Sequence, residues 1–157
     1  MKILITNIRF LNGKRSFLVI DGAYIVRRGY GRYRGTSDHF DHIIDGRGLW
    51  VAPGFIDIQT NGHKGIDFNR ATAGEIVWAI ADLFRHGVTY LLPTVITGSP
   101  NAMLKAIYAI TEAMRYPGVG RAILGIHVEG PFISPLDGPR GAQPKEHCRA
   151  IDIEEYQ

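Results

Sequence analysis

The sequence predicts an α/β chain, with a small antiparallel β unit followed by right-handed βαβ units around a parallel sheet. Three observations carry that reading. Short apolar runs of β type, separated by Asn-Gly and Asp-Gly pairs, occupy the first fifty residues. The hydrophobic period lengthens after Pro53, and strand-like runs then alternate with amphipathic helical stretches.

Residues 2–6, 16–20 and 23–26 read as strands, and Asn12-Gly13 and Asp21-Gly22 are tight-turn signals that fold them back on one another. Residues 51–58 form the next strand-like run. From Thr72 to His86 the apolar residues Ile76, Val77, Ile80, Leu83 and Phe84 recur at one-face helical spacing. Thr72 and Glu75 match a capping box, and Gly87 stands where a helix stop belongs. Residues 88–92 are the second strand of this series. Ser99-Pro100 supplies an N-cap with proline at the first helical position, Met103, Leu104, Ile107, Tyr108 and Met114 form the expected buried stripe, and Pro117-Gly118 ends the helix. Residues 122–128 make a third strand, and residues 152–155 read as the start of a third helix. Strand, helix, strand, helix, strand at this spacing requires parallel pairing through right-handed crossovers.

Composition excludes several function classes. Eighteen basic and 15 acidic residues leave a formal charge of +3, too slight an excess for a nucleic-acid or anionic-membrane partner, though compatible with a small anionic substrate. No apolar run approaches the roughly 18 residues of a spanning helix, and the N-terminus lacks the long apolar core of a signal peptide, so a cytoplasmic protein is expected. A single cysteine, Cys148, excludes an internal disulfide and a Cys-rich zinc site, and reads as an incidental thiol. Arg27-Arg-Gly-Tyr-Gly-Arg-Tyr-Arg-Gly35 has the composition of a base-stacking, phosphate-neutralising segment. It is short, lies between strand signals and is followed by Asp38 and Asp41, so a solvated hairpin is the expectation.

Polar residues gather where parallel α/β sheets place their chemistry, at the C-terminal ends of strands. Asp57, Gln59 and Asn61 follow the first strand of the series, Thr94 and Thr97 the second, and His127 and Glu129 the third. Alternation along an extended chain turns Gln59 and Asn61 to the same side, where they offer amide donors and weak carbonyl oxygens rather than the nitrogens of a His-x-His pair. Taken alone, such a pair is more often a turn or a cap. Glu129 finishes an apolar strand, and an ionised carboxylate there is costly unless paired or bound to a cation. The alternatives are an ion pair, for example with Arg140, and a ligand or catalytic role. His127 reads as a satisfied core histidine or as a partner standing behind Glu129, and His63 as an exposed loop histidine.

Pro53-Gly-Phe-Ile-Asp57 continuing to Gln59-x-Asn61-Gly62, then Gly87-Val-Thr-Tyr-Leu-Leu-Pro-Thr94, then Gly125-Ile-His-Val-Glu-Gly-Pro-Phe132 with Gly141-Ala-Gln-Pro144, resemble the N-acetylglucosamine-6-phosphate deacetylases of the amidohydrolase superfamily. The resemblance runs the length of the chain, and its most specific block is His-x-Glu-Gly-Pro-Phe. It implies a TIM-like (β/α)8 metal-dependent hydrolase barrel, with residues 51–157 as its first three βα units, ending at the start of the third helix. Residues 1–50 become part of a small β-sandwich. The implied activity is hydrolysis of the N-acetyl amide of an amino-sugar phosphate, by a homodimer when full length, with one divalent metal ion, commonly zinc. Glu129 is implied to be its ligand, Gln59 to lie near the metal-bound water, His127 to stand behind the ligand, and Asn61, Gly141, Ala142 and Gln143 to line the substrate pocket.

Two histidine co-ligands and an aspartate acid/base that the family carries on later strands have no matching positions in the 157 residues. The family commonly has histidine where this chain has Gln143, so the sugar is less determined than the reaction class, and another amidohydrolase substrate is the alternative. A reading from a different class takes the 157 residues as a non-catalytic binding module. Three strands cannot close a barrel of eight, so that module would keep an unpaired hydrophobic edge.

Overall fold

A computed structural model describes residues 1–35 and 38–156, which divide into two compact units, Met1–Pro53 and a second beginning at Gly54. In the first unit β1 (Lys2–Arg9), β2 (Arg15–Asp21), β3 (Tyr24–Tyr30) and β4 (His42–Asp45) form one sheet in the order β3-β2-β1-β4. The turn signals hold. Gly13 and Gly22 take φ of +77° and +58°, and Asp21 pairs with Tyr24 across a two-residue loop. The sheet is mixed rather than purely antiparallel, because β4 pairs with β1 in parallel, Ile3 to Thr6 against His42 to Asp45. Leu4, Phe17 and Val19 are its buried core, with Tyr33 and Phe40 packed against them.

The basic segment belongs to this unit. Arg27 and Arg28 lie within β3, and the Arg27 guanidinium stands over the rings of Phe17 and Tyr33, at 6.0 and 5.5 Å from their centroids. Tyr33 donates to Asp38, whose carboxylate also pairs with Lys2.

The second unit begins with β5 (Phe55–Thr60) and a short hairpin of β6 (Gly62–His63) and β7 (Ile66–Asp67). It continues through α1 (Ala73–Phe84), β8 (Val88–Ile96), α2 (Pro100–Ala113) and β9 (His127–Glu129). The strands β5-β8-β9 pair in parallel in that order. Phe68, Ile76, Ile80, Leu91, Val95 and Ile110 are fully buried between this sheet and its helices. Each contributes roughly 1.5–3 kcal/mol by removal from water.

Both helix starts follow the local signals. At α1 the Thr72 hydroxyl accepts from the Glu75 N–H, while the Glu75 carboxylate accepts from the Thr72 N–H at 2.8 Å, closing the capping box. At α2 Ser99 caps the Ala102 N–H with Pro100 at the first turn.

The buried face of α2 differs from the expected stripe. Met103, Ala106, Ile110 and Ala113 face the core, whereas Tyr108 is 70% exposed and Leu104 and Met114 are also exposed. Small alanines let the helix approach its neighbours closely, and that packing outweighs the larger side chains one position along. The third strand also starts later than expected. Ala122 ends a single 3-10 turn, Ile123 makes one isolated bridge to Leu91, and the regular ladder covers only His127–Glu129. After β9 the described residues form 3-10 turns at Lys145–His147 and Glu154–Tyr156, the second of them where a helix start was expected.

The capping box makes a stability prediction with a pH sign. Hydrogen bonds from the Thr72 backbone and hydroxyl hold the Glu75 carboxyl below its ordinary value. A lowered folded pKa stabilises fully above about pH 4.3 and loses that contribution as the pH falls through the folded value. Thr72→Ala is expected to cost about 1 kcal/mol at pH 7. In urea unfolding followed by circular dichroism, the difference from the parent chain should shrink as the pH is taken below about 4.

Candidate functional site

The rim of the parallel sheet is shaped by a proline. Pro93 sits within β8 and has no N–H to give, and the β5–β8 register shifts between Asp57 and Thr60, where Thr60 meets Pro93. Gln59 lies inside that irregularity, which re-aims its side chain across the sheet. On the other side, β9 pairs with β8 through Thr94–His127, Val95–Val128 and Ile96–Glu129. That register sets Glu129 level with the last residue of β8.

Two amides meet the carboxylate. Gln59 Nε2 donates to Glu129 Oε2 at 2.7 Å, and Gln143 Nε2 donates to Glu129 Oε1 at 2.8 Å. An ionised carboxylate only accepts, so each glutamine must present its NH2 end. Gln143 is 8% exposed and both ends of its amide are used, since its Oε1 accepts the Thr97 N–H at 3.1 Å. Gln59 is exposed and its carbonyl end can turn.

The ion pair weighed from sequence is not the one formed. Arg140 reaches Asp137 at 2.6 Å and the Gln143 backbone oxygen at 2.6 Å, and no ion pair to Glu129 occurs among the described residues. His127 is half-buried with Nδ1 3.3 Å from the Thr94 hydroxyl. A cavity of about 350 Å³ opens beside the carboxylate, lined in part by Asn61, Glu129, Arg140, Gly141, Ala142 and Gln143. The rim residues Gln59, Asn61, Glu129 and Gln143 singled out from sequence therefore converge, while the His127 ring, at the start of β9, stays with Thr94 of β8.

The loop after β9 is anchored through Gly130. Its φ is +96°, and a Cβ built there would fall 2.0 Å from Thr97 Oγ1, the hydroxyl that donates to the Glu129 backbone oxygen at 3.3 Å.

A second group of donors was not legible as a site in the sequence. His63, expected to be an exposed loop residue, is instead half-buried with Nε2 2.8 Å from Asp82 Oδ2. Lys64 Nζ at 2.9 Å and His86 Nε2 at 3.4 Å approach the same oxygen. The hydrogen bond with His63, followed by that with Lys64, holds the Asp82 carboxyl far below the usual carboxylate range. The only local signal was the i, i+4 spacing of Asp82 and His86, the latter just past the end of α1.

No family model matches the chain. The N-acetylglucosamine-6-phosphate deacetylase of Danio rerio is 40% identical across 71% of this chain and 28% of its own length. The N-acetylgalactosamine-6-phosphate deacetylase of Shewanella sp. (strain ANA-3) is 40% identical across 88% of this chain and 39% of its own length. Among solved structures, the N-acetylglucosamine-6-phosphate deacetylase of Pasteurella multocida superposes with a TM-score of 0.82 at 28% identity, covering 99% of this chain and 41% of that one.

The chain therefore has the α/β fold of the amidohydrolase class. Within that class it is a homologue of the N-terminal part of the N-acetylglucosamine-6-phosphate deacetylases, and it spans only 28% and 39% of the length of the two curated relatives above.

Gly130→Ala tests how the rim is held. An alanine methyl meets Thr97 Oγ1 and must also adopt a positive φ, a conformation that costs about 1–3 kcal/mol. A fall in Tm of several degrees relative to the parent is expected in calorimetry, whereas Gly138→Ala, also at positive φ but in open space, should lose less.

Proposed function

We propose that this chain is the N-terminal part of a metal-dependent deacetylase that hydrolyses N-acetylglucosamine 6-phosphate to glucosamine 6-phosphate and acetate. The single observation that carries the reading is Glu129, a carboxylate received by two neutral amides and, among the described residues, by no cation, at the edge of a cavity on the sheet rim.

That donor set fits a divalent cation. Amide donors satisfy the carboxylate oxygens but leave the negative charge uncompensated, and the Gln59 amide can rotate to offer its oxygen instead. In this reading Glu129 holds zinc, completed by two histidines from elsewhere in the protein. The cation, when bound, supplies a water of lowered pKa and polarises the acetyl carbonyl. Hydrolysis would add water across the amide, so that the C–N bond breaks, acetate keeps the water oxygen and the sugar amine takes a proton.

The residues of this chain position the reactants. Gln59, from the irregular end of β5, orients the attacking water. Gln143, held by the Thr97 N–H, keeps the Glu129 carboxylate in one orientation. Asn61, Gly141 and Ala142 line the space for the sugar. His127, tied to Thr94, fixes the strand behind Glu129.

The finer architecture follows from the same reading. Residues 1–50 are part of a small β-sandwich and residues 51–157 the first part of a (β/α)8 barrel. In support, Phe55, Ile56 and Ile58 of β5 stand exposed on an edge strand of the parallel sheet. Apolar edges of this kind are ordinarily covered by further structure. The enzyme acts in the cytoplasm as a homodimer on a small amino-sugar phosphate, not on nucleic acid or membrane.

A second reading keeps the chemistry and changes the sugar. The Shewanella N-acetylgalactosamine-6-phosphate deacetylase matches 88% of this chain, more than the 71% matched by the Danio rerio protein.

Acetate release by the full-length protein from both sugar phosphates separates the two. Removing a group that merely supports a metal ligand costs about 10–100-fold in affinity or activity. Glu129→Ala, which removes the ligand itself, should exceed that loss in turnover and in zinc affinity. Full activity in this variant would remove the reading.

A further inference from the structure

His63, Asp82 and His86 share no residue with the Glu129 cavity, and their placement is built into the backbone. β6 and β7 pair through Gly62–Asp67 and His63–Ile66, with Lys64 and Gly65 closing the turn at φ of +48° and +82°. A Cβ on Gly62 would fall 2.0 Å from the Ile66 carbonyl oxygen, so only glycine permits this hairpin. The hairpin in turn holds the His63 ring against α1.

Asp82 occupies the last turn of α1, where the unpaired carbonyls make a carboxylate unfavourable. Its side chain is nevertheless only 12% exposed, which requires positive charge beside it. Lys64 supplies one, but its side chain is 52% exposed and free to swing away. Two imidazoles are also turned Nε2-first toward the same carboxylate oxygen, with their rings edge to face at 5.7 Å. One ligand atom from each of the three residues lies within 4.8 Å of the others. Two nitrogens and one carboxylate oxygen, with an open fourth position, are the donor set of a tetrahedral zinc site.

We infer that His63, Asp82 and His86 bind a zinc ion that displaces the Lys64 ammonium and clamps the β6–β7 hairpin to the end of α1. The clamp fixes the end of β5, with Gln59 and Asn61 four and two residues before the hairpin histidine. The site stands independently of the deacetylase reading.

The test uses the whole chain with Glu129→Ala, which removes the other proposed metal centre. Titration with Zn²⁺ by calorimetry should show one equivalent bound, and Co²⁺ in its place should give the visible absorption of a tetrahedral N/O site. His86 is 58% exposed, so His86→Ala should leave the circular dichroism unchanged and weaken zinc binding at least tenfold. Lys64→Met, which removes the competing cation, should bind zinc more tightly. Absence of zinc binding in the Glu129→Ala chain, or affinity unchanged by both His86→Ala and His63→Ala, would overturn the inference and leave the cluster as an ion pair only.

Discussion

A carboxylate at the end of a buried strand must be met by donors, and the arrangement of the second unit depends on how Glu129 is met. Its two amide partners come from opposite directions. Gln59 belongs to β5, separated from β9 by the whole of β8, and Gln143 belongs to the loop that follows β9. The contact from Gln59 therefore spans 70 residues of sequence and one intervening strand. It forms only if both parallel pairings are in register, so the fold and the site are conditions on one another. The amides satisfy hydrogen bonding without cancelling charge, which separates this carboxylate from the ion pairs elsewhere in the chain.

The rim is shaped where the regular ladder fails. Pro93 removes a donor from the middle of β8, the β5 register slips opposite it, and Gln59 gains its reach from that slip. At β9 the chain leaves the sheet through Gly130, packed so closely on Thr97 that a side chain there would collide with it. Thr97 then serves both sides, its hydroxyl on the Glu129 carbonyl and its N–H on Gln143. Backbone groups near the end of β8 thus set the orientation of a side chain 46 residues later.

Local signals were legible in the sequence and long-range pairings were not. Thr72 with Glu75, Ser99 with Pro100, and the glycines at 13, 22 and 87 act within one turn of chain, and each sits where its chemistry placed it. The parallel strand β4 has no such signal, because four residues pair with β1 some forty positions away. The face of α2 was misread because two stripes compete, and close packing of Ala106 and Ala113 outweighs the larger Leu104 and Tyr108. Glu129 stood out on physical grounds alone, as an uncompensated charge. Gln143 did not, since only resemblance brought it to notice, and His63 was misjudged because its partner lies on a helix 19 residues away.

Gln143 shows what an amide does at a buried position beside a carboxylate. Its buried amide donates through Nε2 to a carboxylate and accepts through Oε1 from a backbone N–H. A neutral histidine at this position would also offer one donor and one acceptor, so the hydrogen-bonding pattern would survive that exchange. What would differ is titration. An imidazole gains a proton and becomes a double donor near neutral pH, which would break its acceptor contact, whereas an amide keeps both roles at any pH at which the fold persists. The glutamine therefore keeps its contact to Glu129 free of any protonation of its own, and leaves the charge at this rim to be set by the carboxylate.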